Sequence, residues 1–318
     1  MSTTVQEATA DLNSPQLSNG KEESAANATP PKNDVAIAEY DYGADAGAGL
    51  EGLDSSEMLI PFVRILQALS PVCVEGSQSY DPNLRPGMII HTATGEAYPK
   101  DIGVGFIMCA RDASYTEWVP IQPGVGTAGG GGFRGTWAHD DPRIARLISE
   151  QGKFRKLQTA EGTELVETRT LYGLIVPRAA DGTWISELAV NGVISFSSTQ
   201  LKKYRLIVSR IQTLAQGKMR VVNGRALTPP SFAWRWNLAT QPEKNKFGSY
   251  YGWRLSLAEP SANASMIRPD DELYQMAKAL HDLVRGGLAR ADFGSTEGPS
   301  PSGGSAIDPS NIDEEIPF

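Results

Sequence analysis

Ser231-Phe-Ala-Trp-Arg-Trp-Asn-Leu238 and Tyr250-Tyr-Gly-Trp-Arg-Leu-Ser-Leu257 alternate large apolar residues with small, polar or cationic ones. A period of two is the signature of a strand with two unlike faces. It groups Phe232, Trp234, Trp236 and Leu238 on one side of the first strand, opposite Ala233, Arg235 and Asn237. In the second it groups Tyr251, Trp253, Leu255 and Leu257 opposite Tyr250, Gly252, Arg254 and Ser256. The apolar sides read as core, which leaves Arg235, Tyr250 and Arg254 for the outside. Upstream, the pattern changes to helical spacing: Leu201, Tyr204, Ile207, Val208, Ile211 and Leu214 form one stripe. Ser198 or Thr199 can cap this helix, and Gly217 can end it.

Working outward, further strands are expected at Ile102–Arg111, Tyr115–Val119, Arg169–Pro177, Trp184–Val190 and Gly192–Ser197. Ala180-Asp181-Gly182 serves as a hairpin turn. Two more amphipathic helices are expected at Pro142–Leu157 and Asp270–Arg290, the latter with Leu273, Met276, Leu280, Leu283 and Val284 inward. The chain is therefore mainly β with a few helices. Its order of three strands, a helix over 198–216 and two strands predicts an OB-fold-like barrel core, with its helix between the third and fourth strands. The barrel strands are 102–111, 169–177, 184–197 (bent at Asn191-Gly192), 232–238 and 250–257, and residues 115–160 are an insertion.

The ends differ in composition. Residues 1–55 are rich in Ser, Thr, Ala, Asn, Pro and acids, and they lack the apolar surface needed to offset ordering entropy. They are read as a disordered acidic tail, the core as 56–291, and 292–318 as a flexible linker ending in an acidic tip. Residues 1–57 hold two bases against eleven acids, and 269–318 hold three against ten. Since the whole chain is at −8, the middle carries +8. An acidic protein thus encloses a basic body, a segregation that points to an anionic partner.

The positive charge peaks in 198–254, where eleven bases face a single acid, Glu243. The same segment holds eight aromatic residues. Cations that track phosphates, interleaved with rings that stack on unpaired bases, suit single-stranded nucleic acid. The expected contacts are Arg235, Tyr250 and Arg254 on the sheet, and Lys202, Lys203, Arg205 and Arg210 on the helix. Lys244, Lys246 and Phe247 lie in the loop between the last two strands. An outer helix face is ordinarily just solvated, but four bases without an acid are unusual there.

The last residues are Asp313-Glu-Glu-Ile-Pro-Phe318, three acids running into an aromatic residue. A ring beside a carboxylate offers an anchor for a pocket with a cation at its rim. This end resembles the acidic C-terminal tip of bacterial single-stranded DNA-binding proteins. That resemblance implies that Asp313, Glu314, Glu315, Ile316, Pro317 and Phe318 recruit replication and repair partners without binding DNA themselves. The body is loosely similar to large single-stranded DNA-binding proteins of bacteriophages.

Other signals carry less. Gly124-Val-Gly-Thr-Ala-Gly-Gly-Gly-Gly-Phe-Arg-Gly135 lacks the Gly-Lys-Ser/Thr ending of a phosphate-binding loop and reads as a flexible insertion. His91, His139 and His281 are scattered, with no metal-ligand spacing. Cys73 and Cys109 read as free thiols. No signal peptide or membrane span is visible, so a bacterial or phage-infected host cytoplasm is expected. The expected function is sequence-independent binding and protection of single-stranded DNA during replication, recombination and repair, without catalysis, metal or cofactor. A homo-oligomer is open, as are a recombination mediator or strand-annealing protein and, from another class, a non-enzymatic adaptor or virion component.

Overall fold

The computed structural model describes residues 58–120, 132–222, 225–245, 248–291 and 293. Contacts divide the chain into Met1–Glu51 and Gly52–Phe318, and every described residue belongs to the second unit. The two expected tails, apart from residue 293, lie outside the described residues.

In chain order the elements are β1 (Leu59–Ile60), β2 (Val63–Ile65), β3 (Ile89–His91), β4 (Ala97–Tyr98), β5 (Val104–Val119), β6 (Gly132–Ala138) and α1 (Pro142–Gln151). Then come β7 (Lys156–Gln158), β8 (Glu164–Val176), β9 (Val190–Ser197), α2 (Leu201–Gly217), β10 (Arg220–Val222) and β11 (Arg225–Leu227). β12 (Trp236–Asn245), β13 (Gly248–Leu257), α3 (Glu272–Arg285) and β14 (Arg290–Ala291) complete the chain. The protein is mainly β with few helices.

The long strands β5 and β8 are the frame. They pair antiparallel from Gly105↔Val176 to Trp118↔Glu164. At one end β12 joins β5 and β9 joins β8, so the body reads β13-β12-β5-β8-β9. At the other end β6 pairs with β5 and β7 with β8, which makes an arm. The expected insertion at 115–160 is this arm. Its own small core joins Tyr115, Ile144, Leu157 and Leu165.

Both faces of β5 and β8 are covered within the body, which is why Val104-Gly-Phe-Ile-Met-Cys-Ala110 is continuously apolar and not alternating. Val104, Phe106 and Met108 face a core shared with Leu171, Ile175, Ile194, Phe196, Trp234, Trp236, Trp253 and the inner stripe of α2. Ile107, Cys109, Tyr172, Leu174 and Val193 face a second core under α3, with Leu273, Ala277 and Leu280. A bulge between Met108 and Ala110 then shifts the alternation before the arm begins.

No closed barrel forms among the described residues: β9 and β13 are not paired with each other. The segment from Pro61 to Gln67 lies at this seam. The Val193 N–H donates to Pro61 O at 2.9 Å on the β9 side. On the β13 side, Gln67 Nε2 donates to Tyr251 O and the Tyr251 N–H donates to Gln67 Oε1, each at 2.9 Å. One side-chain amide thus satisfies both backbone groups of an edge residue, which blunts the edge.

Several expected boundaries move, for physical reasons. The strands at 102–111 and 115–119 are one strand, because β8 pairs along its whole length and the bulge absorbs the irregularity. The strand expected at Trp184–Val190 is instead a bridge, Arg178↔Trp184, and a 3₁₀ turn at Ser186–Leu188. The turn at 180–182 is present, with Gly182 at positive φ. Ser231–Ala233 is also a 3₁₀ turn, so Phe232 leaves the face of Trp234 and Trp236 and joins the core under α3. The loop expected between the last two strands is largely ladder, running to Asn245↔Gly248. Pro242 is tolerated there because β5 pairs with β12 only at residues 236–238.

The helices are shorter than expected. A 3₁₀ turn at Ser198–Gln200 precedes α2, and neither Ser198 nor Thr199 caps it. α1 is capped by Asp141 and ended by Gly152 in the left-handed conformation, and the residues after it form β7. α3 is capped by Asp271, whose side chain accepts from the Leu273 N–H.

Candidate nucleic-acid interface

Register decides which side chains share the outer face of the β12–β13 hairpin, where Ala239 and Gly252 are buried and Arg254 is exposed. Asn237 opposes Ser256, Ala239 opposes Arg254, Gln241 opposes Gly252 and Glu243 opposes Tyr250. Arg235 extends this row, because the Ala258 N–H donates to its carbonyl at 3.1 Å. Arg235, Tyr250 and Arg254 therefore lie on one face, as their alternation predicts. Arg254 is exposed, and Arg235 and Tyr250 are half-buried.

The other expected residues are distributed differently. Lys203 reaches the edge of β13, where it pairs with Glu243 and donates to Trp253 O at 2.9 Å. Desolvation pulls its pKa below the ordinary lysine range. The pair lies over Gly252, where a Cβ would meet both Glu243 Oε1 and Lys203 Nζ at 2.7 Å. Gly252 is thus filled from within the chain. Lys202 and Arg205 are exposed on α2, and the Arg210 guanidinium lies 6.0 Å from the centre of the Trp236 ring. Lys244 is exposed near the hairpin tip and alternates to the face opposite Arg254. Lys246, Phe247 and the tip residues Asp313–Phe318 lie outside the described residues.

Glu243, the one acid of the segment, is consumed by Lys203. Among the described residues, Lys202, Arg205, Arg210, Lys218, Arg220, Arg225, Arg235, Lys244 and Arg254 have no carboxylate at ion-pair distance. Elsewhere in the molecule, most ion pairs join residues close in sequence, such as Arg143–Asp141 and Lys278–Asp282.

Two residues outside this segment join the same face. Arg178 and Trp184 flank the 180–182 turn and bridge one another. Arg178 donates to Asn237 Oδ1 at 3.2 Å, which ties the turn to β12. Its guanidinium lies 5.3 Å from the Trp184 ring centre, and that of Arg235 lies 6.0 Å from it. The indole packs flush on Gly105, where a Cβ would stand 1.4 Å from Cζ3. Reading Trp184 as the start of a strand missed this; a cation and an indole six residues apart across a predicted turn are the signal that could have found it.

Each histidine has a hydrogen-bond partner within the fold. His91 is buried, with Nε2 at 2.9 Å from Asn191 O while the Thr94 N–H donates to Nδ1. His281 Nδ1 lies 2.8 Å from Cys109 O, and His139 accepts from Arg169 at 2.9 Å. No group of three or more His, Cys, Asp or Glu able to hold a metal occurs among the described residues. No helix among them is long and apolar enough to cross a membrane. A cavity of about 520 Å³ opens on the arm beside Asp112, Trp137, His139 and Asp140. Its two carboxylates disfavour phosphate, so it is set apart from the cationic face.

Fold and surface together define a β-sheet protein with helices on both faces and a cationic, aromatic outer hairpin. Residues 30–290 match the Pam3 phage gp34-like protein family, and the chain belongs to that family. No curated protein and no solved structure matches it.

Proposed function

We propose that this protein binds single-stranded DNA without sequence preference and without catalysis, in the cytoplasm of a bacterial or phage-infected cell. In this reading its C-terminal tip, Asp313–Phe318, recruits replication or recombination proteins. The observation that carries it is the shared outer face of Arg235, Tyr250 and Arg254, whose carboxylate, Glu243, is taken up by Lys203, extended by Arg178 and Trp184. Cations without protein counter-ions release condensed ions from a nucleic acid, and half-exposed rings offer stacking surfaces for unpaired bases.

The strand order supports an OB-like reading of the core. β5, β8, β9, β12 and β13 follow one another as five strands, with α2 between the third and fourth. Their lateral order is that of such a barrel opened between its third and fifth strands, with Pro61–Gln67 laid along the opening. One departure matters for the DNA path. OB-folds use the face of their second and third strands, but here α3 covers β8, the second strand, together with β5. Binding is directed instead to the fourth and fifth strands.

Titration with oligothymidylate tests this. Tryptophan fluorescence should be quenched, and the affinity should fall as salt rises, with about 0.7 lost from the log–log slope per phosphate contact. Absence of binding at low salt refutes the reading. Deleting Asp313–Phe318 should spare DNA affinity and abolish partner recruitment. A non-enzymatic adaptor or virion component is the second reading, favoured by the exposed Met219, Val221 and Leu227 in and beside the β10–β11 hairpin. Exposed apolar side chains of that kind suit protein contact.

A further inference from the structure

Arg178 and Arg235 approach the same indole from different elements, and neither has a carboxylate partner among the described residues. Arg178 is fixed by neutral acceptors. Its Nε and Nη2 donate to Gly182 O at 3.0 and 2.9 Å, and Nη1 donates to Asn237 Oδ1 at 3.2 Å and Ile102 O at 3.4 Å. These bonds orient the group without neutralising its charge. Arg235 is the opposite case. Its side chain makes no hydrogen bond, and its Nε is buried without an acceptor. The carboxylates nearest in sequence to Trp184 pair with neither guanidinium: Asp181 accepts from the Thr183 N–H at 2.9 Å, and Glu187 is exposed and makes no ion pair among the described residues.

A buried guanidinium nitrogen without an acceptor is costly, and a second positive charge on the same ring adds repulsion. Cation–π attraction to Trp184 offsets part of this. An oxyanion would answer the charge of both groups and accept from the Arg235 Nη atoms, which, unlike Nε, are not buried. We propose that Arg178, Trp184 and Arg235 form a phosphate-binding subsite, with Arg178 as the fixed charge, Arg235 as the donor that closes on the anion and Trp184 as the platform between them. The inference rests on the single-stranded DNA reading for its ligand, a backbone phosphodiester. The same chemistry would hold a free phosphate, and the two sources give different results below.

The test compares the full chain with Arg235→Gln, Arg235→Lys and a control, Arg285→Gln, at an exposed position on α3. Oligothymidylate binding is followed across salt concentrations, and pyrophosphate binding is followed by tryptophan fluorescence, with Trp184→Phe assigning the signal. Arg235→Gln should weaken oligothymidylate about 10-fold or more and lower the salt slope by about 0.7, while Arg285→Gln changes neither. Arg235→Lys should keep the slope and recover only part of the affinity, because an ammonium cannot replace the planar fork. If the wild type binds the oligonucleotide and Arg235→Gln keeps both slope and affinity, the subsite is overturned and the DNA reading stands. If the wild type ignores DNA but pyrophosphate quenches Trp184 only when Arg235 is present, the subsite stands with a free anion as its ligand and the DNA reading falls. If neither ligand binds, both fall.

Discussion

Gly105→Ala should dislodge Trp184 without removing any functional group. An added Cβ would stand 1.4 Å from Cζ3, 2.3 Å from Cε3 and 2.4 Å from Cη2 of the indole. Carbon atoms in contact settle at about 3.5–4.0 Å, so the ring must retreat by about 2 Å. No other atom is closer, and the backbone at Gly105 is held on both sides by Val176 and Asn237. The ring therefore moves, and the strand stays. Overpacking of this kind costs about 1–3 kcal/mol, which includes the loss of two cation–π contacts worth about 0.5–2 kcal/mol in total. Urea denaturation followed by far-UV circular dichroism should show a midpoint lower by about 0.5–1 M. Gly135→Ala on β6 is the control. A Cβ there meets nothing within 4 Å, so the change should be neutral or stabilising by up to about 1 kcal/mol. The decisive measurement repeats Gly105→Ala in a Trp184→Ala background, where the methyl finds the space vacated by the ring and its cost should nearly vanish. An equal cost in both backgrounds refutes the steric account. Oligothymidylate affinity should fall alike in Gly105→Ala and in Trp184→Ala.

Gln67→Ala should destabilise by about 1–3 kcal/mol, since it removes two hydrogen bonds from the edge of β13; the Tyr251 amide should then exchange faster, and unchanged protection would contradict the sealing role. Burial pushes the Cys109 thiol up to about 12, so near pH 8 only about 10⁻⁴ of it is thiolate. A raised pKa keeps the thiol protonated, hence a disulfide reagent should titrate one thiol, Cys73, in the native protein and two in guanidinium; two native equivalents would refute the burial of Cys109. Cys73 is itself raised by desolvation against the pull of Arg85, so its reaction should be slower than that of free cysteine and should accelerate with pH. Gly173→Ala should cost about 3 kcal/mol or more, because its Cβ would meet the backbone oxygen of Ile107 and the Phe106 ring at 2.4 Å, and a carbonyl in the central ladder cannot yield as a side chain can. A denaturation midpoint equal to that of wild type would count against it.

The sequence by itself determined what depends on local period. Alternation over 231–257 separated Trp236 and Trp253 from Arg254, and helical spacing identified Leu201, Tyr204, Ile207 and Ile211 as the buried stripe of α2. The placement of Arg235, Tyr250 and Arg254 on one face was legible for the same reason: strand geometry sends every second side chain the same way, whatever the partner strand. Tertiary structure alone decided the rest. Phe232 sits in the other core because a 3₁₀ turn breaks the alternation before β12 begins. Lys203 was read as a free cation, yet it is held by Glu243 forty residues away, and no local pattern announces such a pair. α3 closes one face of β5 and β8, and the turn at 180–182 swings Arg178 and Trp184 against Arg235. Side-chain direction is set within a few residues, whereas the choice of covered face, seam and neighbour is made by contacts between segments far apart in the chain.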